Sequence, residues 1–161
     1  MNLGHLGVAA FAVTVAVSGP ARACDSDMVS IVEPDAATLA RLAAALDVGE
    51  AFVAEEDRLV SRTTCDLNGD GRNEALYQVI SPMTCEDGAV LTCTMAIFAE
   101  PDGPLLARAL AHRLHAVPVT DGAWPPVIAH RRRAEGPANE TILQFDGCAY
   151  RGPGEPAPRC E

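Results

Sequence analysis

The stretch that decides the fold is RLVSRTTCDLNGDGRNEALYQVI, residues 58–80. Apolar and polar residues alternate on either side of its middle, which predicts two strands, at Arg58–Cys65 and Glu74–Ile80. Between them, Asn-Gly and Asp-Gly pairs supply the turn chemistry that reverses a chain. The sequence therefore predicts an antiparallel hairpin with a polar loop.

The loop of this hairpin places oxygen-bearing side chains at alternate positions, on Asp66, Asn68 and Asp70. Gly69 and Gly71 lie between them and permit a tight, left-handed backbone. Calcium takes about six to eight oxygen ligands in a tolerant geometry, which suits such a loop. The predicted ligands are the side chains of Asp66, Asn68, Asp70 and Glu74 and the backbone carbonyl of Arg72.

The Asp-x-Asn-Gly-Asp-Gly-x-x-Glu pattern resembles the calcium loops of EF-hand and dockerin proteins, and more closely those of the FG-GAP/VCBS type, in which the loop joins two strands. An EF-hand has an acidic residue at the twelfth loop position, whereas this chain has Tyr77 there, inside a strand pattern. A second stretch, FDGCAY at 145–150, is similar to the closing hairpin of small exported domains with one such loop. The resemblance covers about a dozen residues, so it implies a local calcium loop and not a whole-chain family.

A simpler interpretation stands beside calcium binding. Asn68-Gly69 and Asp70-Gly71 can serve turn geometry alone, with the carboxylates solvated. Charge density favours the ion, because nearby carboxylates repel each other unless a cation lies among them.

Outside the hairpin the sequence predicts one helix and three more strands. Asp35 can cap a helix over Glu33–Gly49, and Gly49 can end it. Residues 104–119 fit either a helix or an extended stretch, and the pattern does not decide between them. The predicted class is α+β: an antiparallel β-meander sheet with one covered side, carrying one N-terminal helix and stapled by disulfides. The further strands are Thr92–Ala99, Pro125–Arg131 and Thr141–Phe145.

Six cysteines can pair completely in an oxidising compartment. Proximity along the chain favours one set of bridges, although spacing alone does not fix the connectivity. The chain contains no Cys-x-x-Cys, the usual spacing of a zinc cage or a redox pair. The favoured bridges are Cys24–Cys65, Cys85–Cys93 and Cys148–Cys160.

The first residues have the character of an export signal. An apolar run at 6–17 (LGVAAFAVTVAV) is too short to span a bilayer, and Ala21 and Ala23 stand where a signal peptidase reads small residues. The expected division is a signal peptide at 1–23, removed after Ala23, and one disulfide-stabilised domain at 24–161. The chain has no lysine and is rich in Ala, Arg and Pro, which fits a bacterial protein, periplasmic or secreted.

The charge balance limits the partners. Twelve Arg against 22 Asp and Glu give a net charge of −10, which argues against a nucleic-acid partner held through phosphates. Anionic membrane surfaces are disfavoured for the same reason. No membrane insertion is expected after signal cleavage.

Weaker patterns carry alternative hypotheses. If 104–119 were helical, His112 and His115 would share a face, and His130 could complete a zinc site. The run His130-Arg131-Arg132-Arg133 could bind a carboxylate or phosphate, although such runs are more often solvated strand ends. Trp124 fits a core position under the loop or a partner anchor.

The function expected from these patterns is that of a small, exported, non-catalytic binding or accessory domain with a structural calcium ion. Its expected partner is an unidentified extracytoplasmic protein, and no catalytic residue or organic cofactor is assigned. Two alternatives remain: a zinc-dependent hydrolase built on His112, His115 and His130, and a purely structural envelope protein.

Overall fold

A computed structural model describes residues 30–49, 51–54, 57–86, 92–100, 102–116, 123–132 and 138–154. These residues form two antiparallel sheets, in the orders β1-β2-β3-β4-β5 and β6-β7-β8-β9, with two short helices. The predicted α+β class with an antiparallel meander is thereby confirmed. The elements are β1 (Ser30–Val32), α1 (Ala36–Leu46), α2 (Ala51–Ala54), β2 (Leu59–Cys65), β3 (Glu74–Ile80), β4 (Cys93–Phe98), β5 (Leu105–Ala111), β6 (Arg113–Ala116), β7 (Val127–Arg131), β8 (Asn139–Phe145) and β9 (Tyr150–Arg151).

The central hairpin forms as predicted. Strands β2 and β3 pair without interruption from Leu59 opposite Ile80 to Cys65 opposite Glu74. The polar loop therefore begins directly after Cys65 and ends at Glu74. A continuous ladder of this kind holds both ends of the loop in register.

The prediction of a sheet with one covered side is wrong for β4. Ala96 and Phe98 pack into one apolar cluster with α1, and Met95 and Ile97 pack on the opposite face into a cluster with the second sheet. Strand β4 is buried on both faces because α1 covers one and β6–β9 cover the other. Thr94 and Ala96 occupy alternate positions of β4, and small or polar residues at such positions are typical of a solvent-facing side of a strand. In this structure that side is covered.

Helix α1 has the predicted N-cap at Asp35, but it begins at Ala36, three residues after the predicted Glu33, and ends three residues before the predicted Gly49. The side chain of Asp35 accepts the amide of Thr38 at 2.7 Å, which is an N-cap hydrogen bond. The helix ends at Leu46 and is capped by Asp47, which is left-handed with φ 58°; Gly49, also left-handed with φ 70°, lies beyond the cap. The amide of Asp47 points back to the carbonyls of Ala43 and Ala44, so the last turn closes before Gly49 is reached.

The undecided segment 104–119 forms two strands and no helix within its described part, 104–116. Strand β5 pairs with β4 from Leu105 opposite Phe98 to Ala111 opposite Cys93. His112 then carries the chain into β6 of the second sheet. The unpaired edge of β4 decides the outcome, because a strand there satisfies a row of backbone groups that a helix would leave exposed. Three short elements, β1, α2 and β9, were not predicted from the sequence.

The Cys85–Cys93 bridge is confirmed. Cys65 and Cys148 are also disulfide-bonded. Their predicted partners, Cys24 and Cys160, and the whole of the predicted signal peptide at 1–23 lie outside the described residues. Within the described ranges, neither helix has the length and apolar character needed to cross a membrane.

Replacing Cys85 and Cys93 together by serine should lower the free energy of unfolding by about 2–3 kcal/mol, because the bridge restricts a short loop in the unfolded chain. Urea denaturation under non-reducing conditions measures the loss. The two single variants should lose as much as the double variant. A double variant as stable as the wild type would contradict a stabilising bridge at this position.

Candidate metal loop

The candidate site is the loop Asp66–Asn73 with Glu74, the first residue of β3. The ladder between β2 and β3 fixes its two ends. Gly69 and Gly71 have φ angles of 76° and 88°, the left-handed conformation expected from the sequence. A side chain at either position would strain the backbone, so these glycines determine the shape of the loop.

Asp66 organises the loop backbone. Its Oδ1 accepts the amide of Gly69 at 2.7 Å and that of Asp70 at 3.1 Å, and its Oδ2 accepts the amide of Gly71 at 2.8 Å. Three consecutive amides thus point at one carboxylate. This arrangement turns the chain around Asp66 and brings the following oxygen-bearing residues to the same side of the hairpin end.

Asn68 and Asp70 are joined to each other. The Oδ1 of Asn68 accepts the amide of Asp70 at 3.0 Å, while its Nδ2 donates to Oδ2 of Asp70 at 3.0 Å. The Oδ1 of Asp70 also accepts the amide of Arg72 at 2.8 Å. All three alternate side chains predicted from the sequence therefore take part in one hydrogen-bonded loop.

Glu74 is the most deeply buried predicted ligand, with 2% of its surface exposed. Its Oε2 accepts the amide of Leu67 at 2.6 Å. Burial raises the pKa of this carboxyl, and the negative charges of Asp70 and Asp66 act in the same direction, against the hydrogen bonds that lower it. A buried carboxylate beside two others is a place where a bound cation would relieve an unfavourable charge.

A cleft of about 260 Å³ borders the loop. Its lining includes Asp70, Arg72, Glu74, Glu100 and Trp124. Nη1 of Arg72 lies 3.1 Å from Oε1 of Glu100. Three acids against one arginine make the lining acidic.

Trp124 is half-buried beside the loop, which agrees with the expected core position. It stacks on Phe145 with ring centroids 4.7 Å apart and meets Tyr150 edge-on at 6.1 Å. Tyr150 was not predicted to be a buried polar group, because no local pattern in the sequence distinguishes it. Its hydroxyl is buried and has no hydrogen-bond partner among the residues that the structure describes, and burial together with the charge of Glu74 raises its pKa.

The donors of the loop fit a hard cation in chemistry, since every predicted ligand offers oxygen. Their side chains are turned largely toward backbone amides, and no three His, Cys, Asp or Glu side chains in the described ranges form a metal-binding group. A carboxylate has about four lone-pair sites, so acceptance of amides leaves Asp66 and Asp70 with capacity for an ion. The structure places all five predicted ligands in one loop, but the carboxylates of Asp66, Asp70 and Glu74 do not meet at one point. The five are Asp66, Asn68, Asp70, Arg72 and Glu74.

The three histidines of the zinc hypothesis do not assemble. His115 lies within β6 opposite Ile128, and His130 lies in β7 opposite Arg113. His112 approaches His130, with ring centroids 6.3 Å apart. Because 112–116 is extended and not helical, residues three apart no longer share a face, and the reason for grouping His112 with His115 is lost.

The basic run is divided among several neighbours. Arg131 forms an ion pair with Glu86, and Nδ1 of His130 lies 3.1 Å from Oε1 of Glu140. The carbonyl of Arg132 accepts the hydroxyl of Thr92 at 2.7 Å. Arg133 lies outside the described residues. The side chains of His130 and Arg131 and the carbonyl of Arg132 thus have a structural role.

His112 should make folding stability depend on pH. Burial lowers its pKa, and the positive charges of Arg132, His130 and Arg113 add to the effect. As pH falls through the ordinary histidine pKa, about 6.5, the unfolded chain gains a proton that folded His112 resists, so stability is lost. Between about pH 7.5 and about pH 5.5, the free energy of unfolding of His112→Gln should fall less than that of the wild type. An unchanged pH slope in the variant would rule out this contribution.

The sequence matches no protein-family model, and neither a curated protein nor a solved structure shows significant similarity to it.

Proposed function

We propose that this chain is a small, exported, non-catalytic binding domain whose β2–β3 loop holds a structural calcium ion. The observation that carries the proposal is Glu74: a carboxylate 2% exposed, at the closed end of a loop that holds two further carboxylates. A divalent cation would neutralise charge that burial otherwise penalises. Asp66, Asn68, Asp70 and Glu74 would supply side-chain oxygens, and Arg72 its carbonyl.

The ion's role would be structural. With a Kd of about 0.1 mM, typical of weak extracellular calcium sites, and about 1 mM free calcium, binding adds about 1.4 kcal/mol to stability. That is enough to hold a hairpin end in one shape. The disulfide at Cys65, directly before the loop, would restrain the same end covalently.

A binding role agrees with this construction better than catalysis does. The described residues offer a rigid two-sheet framework, and the histidines expected for a hydrolase are distributed over separate strand positions. A framework that is already ordered loses little conformational entropy when it meets a partner. We assign the partner to the extracytoplasmic space, in line with the predicted signal peptide and the oxidised cysteines.

The variant Asp70→Ala tests the calcium loop. It should melt about 3–5 °C below the wild type in 1 mM calcium, because the ion's contribution is lost. In excess chelator the two should melt within about 1 °C of each other, since the hydrogen bonds lost from Nδ2 of Asn68 and the amide of Arg72 are offset by relief of the repulsion between Asp70 and Glu74. Asp57→Ala, an exposed acid outside the loop, provides the matched control. An equal loss in calcium and in chelator would show that Asp70 acts without a metal.

A further inference from the structure

One face of the second sheet lies in the core; on its other face Glu140 and Ile142 are exposed, whereas Arg113, Ile128 and His130 are half-buried. Leu114, Ala129 and Leu143 point into the apolar cluster shared with β4 and β5. Side chains alternate along a strand, so their neighbours Arg113, Ile128 and Ile142 lie on the opposite face. Within the described residues, neither helix and no strand of the other sheet is placed on that face.

This outward surface is basic and partly apolar. We define the outer face by the side chains of Arg113, His115, Ile128, His130, Arg132 and Ile142, in which Arg132 follows β7 two residues after His130. Arg132 is exposed, and Ile142 is 53% exposed, one of four large hydrophobic side chains so placed in the described residues. Large apolar side chains beside cations on a solvent face are typical of protein interaction sites.

The charge of the outer face is opposite to that of the chain, whose net charge is −10. Positive charge is dense enough here that Arg132 and Arg113 both act against protonation of His112. Among the described residues Arg132 has no ion-pair partner. The acid on this surface is Glu140, which lies opposite His130 and approaches its Nδ1 at 3.1 Å. The surface already receives one carboxylate from its own chain.

We infer that the outer face is the docking surface for an acidic segment of a partner protein, one that carries apolar side chains between its carboxylates. Charge complementarity argues for the acids, and the two isoleucines argue for the apolar side chains. A nucleic acid fits less well, because its phosphates would meet the repulsion of an acidic protein and would leave the isoleucines unused. The inference deepens the proposed binding role by naming the class of partner, and it rests on that role.

The test is a titration of the isotope-labelled full domain with a short synthetic peptide of alternating glutamate and leucine, followed by NMR. Signals of Ile128, Ile142 and Arg113 should shift, and the affinity should fall as salt is raised. A peptide with lysine in place of glutamate should leave those signals unchanged. Shifts confined to other surfaces would overturn the inference.

The variants Arg132→Glu and Arg108→Glu form a matched pair, because both reverse one exposed arginine and only the first lies on the outer face. Arg132→Glu should weaken peptide binding about tenfold, and Arg108→Glu much less. The exposed Ile142→Ser tests the apolar part without a change of charge and should also weaken binding. Equal affinity in Arg132→Glu and Arg108→Glu would overturn the inference, as would tighter binding of a single-stranded oligonucleotide than of the peptide at this face.

The calcium proposal and the docking proposal can be tested independently of each other. Asp70→Ala should leave peptide binding at the outer face intact, since the loop is at the end of the other sheet. A wild-type domain that binds the peptide but whose melting temperature does not respond to calcium would refute only the metal loop. A wild-type domain that responds to calcium but does not bind the peptide would refute only the docking surface.

Discussion

The variant Asp66→Ala should lose calcium binding, with a Kd raised at least about 100-fold, which corresponds to about 2.7 kcal/mol of binding free energy. Asp66 has two roles in the loop. It would supply a charged ligand, and it accepts the amides of Gly69, Asp70 and Gly71. Its removal takes away both the ligand and the turn that brings Asn68 and Asp70 to the same side.

The same variant should also be less stable without metal, by about 1–2 kcal/mol, because three amides lose a charged acceptor and only water replaces it. Melting in calcium and in excess chelator separates the two effects. Asp66→Ala should melt lower in both conditions and gain nothing from calcium, whereas Asp70→Ala should be affected in calcium alone. Asp57→Ala, an exposed acid outside the loop, provides a control for removal of one negative charge. A calcium-induced rise in melting temperature retained by Asp66→Ala would contradict the assigned ligand set.

The variant Phe52→Ala should show the largest loss of stability, about 3–5 kcal/mol. Phe52 is fully buried in the apolar cluster between α1 and the first sheet. Arg58 holds it from the other side, since its Nη1 donates to the carbonyls of Phe52 at 3.2 Å and Val53 at 3.0 Å, with the guanidinium 5.7 Å from the ring centroid. Truncation leaves a cavity that these backbone contacts do not allow to close.

Urea denaturation measures this loss. Phe52→Leu should cost less, because it retains most of the apolar volume. Leu59→Ala, at a position 49% exposed, should cost under about 1 kcal/mol and controls for the loss of an apolar side chain outside the core. A loss below about 1 kcal/mol for Phe52→Ala, with an unchanged dependence on urea, would mean that α2 does not close the core.

The central hairpin could be predicted because local rules agree there. Alternation specifies β2 and β3, and Asn-Gly and Asp-Gly pairs specify the reversal, so the bounds of β3 match the prediction at both ends. The start of α1 was predictable for the same reason, since Asp35 and the leucine spacing act within a few residues. Interactions of this kind act over a few residues, so they can be predicted from a single sequence.

Elements that depend on distant partners could not be predicted. Leu106, Leu110 and Leu114 are spaced as in a helix, but β5 forms because the edge of β4 needs a partner. Helix α2 has only four residues, and burial of Phe52 against residues far along the chain holds it in place. The outer face could not be predicted either, because Arg113, Ile128 and Ile142 become neighbours only when three strands pair.

Titration calorimetry of calcium into the metal-free wild-type domain is the most direct test of the proposed calcium loop. We expect saturation at one ion per chain, a Kd of about 0.1 mM and no comparable heat with Asp66→Ala. Heat no greater than dilution throughout a titration to about 10 mM calcium, a hundred times the expected Kd, would contradict it.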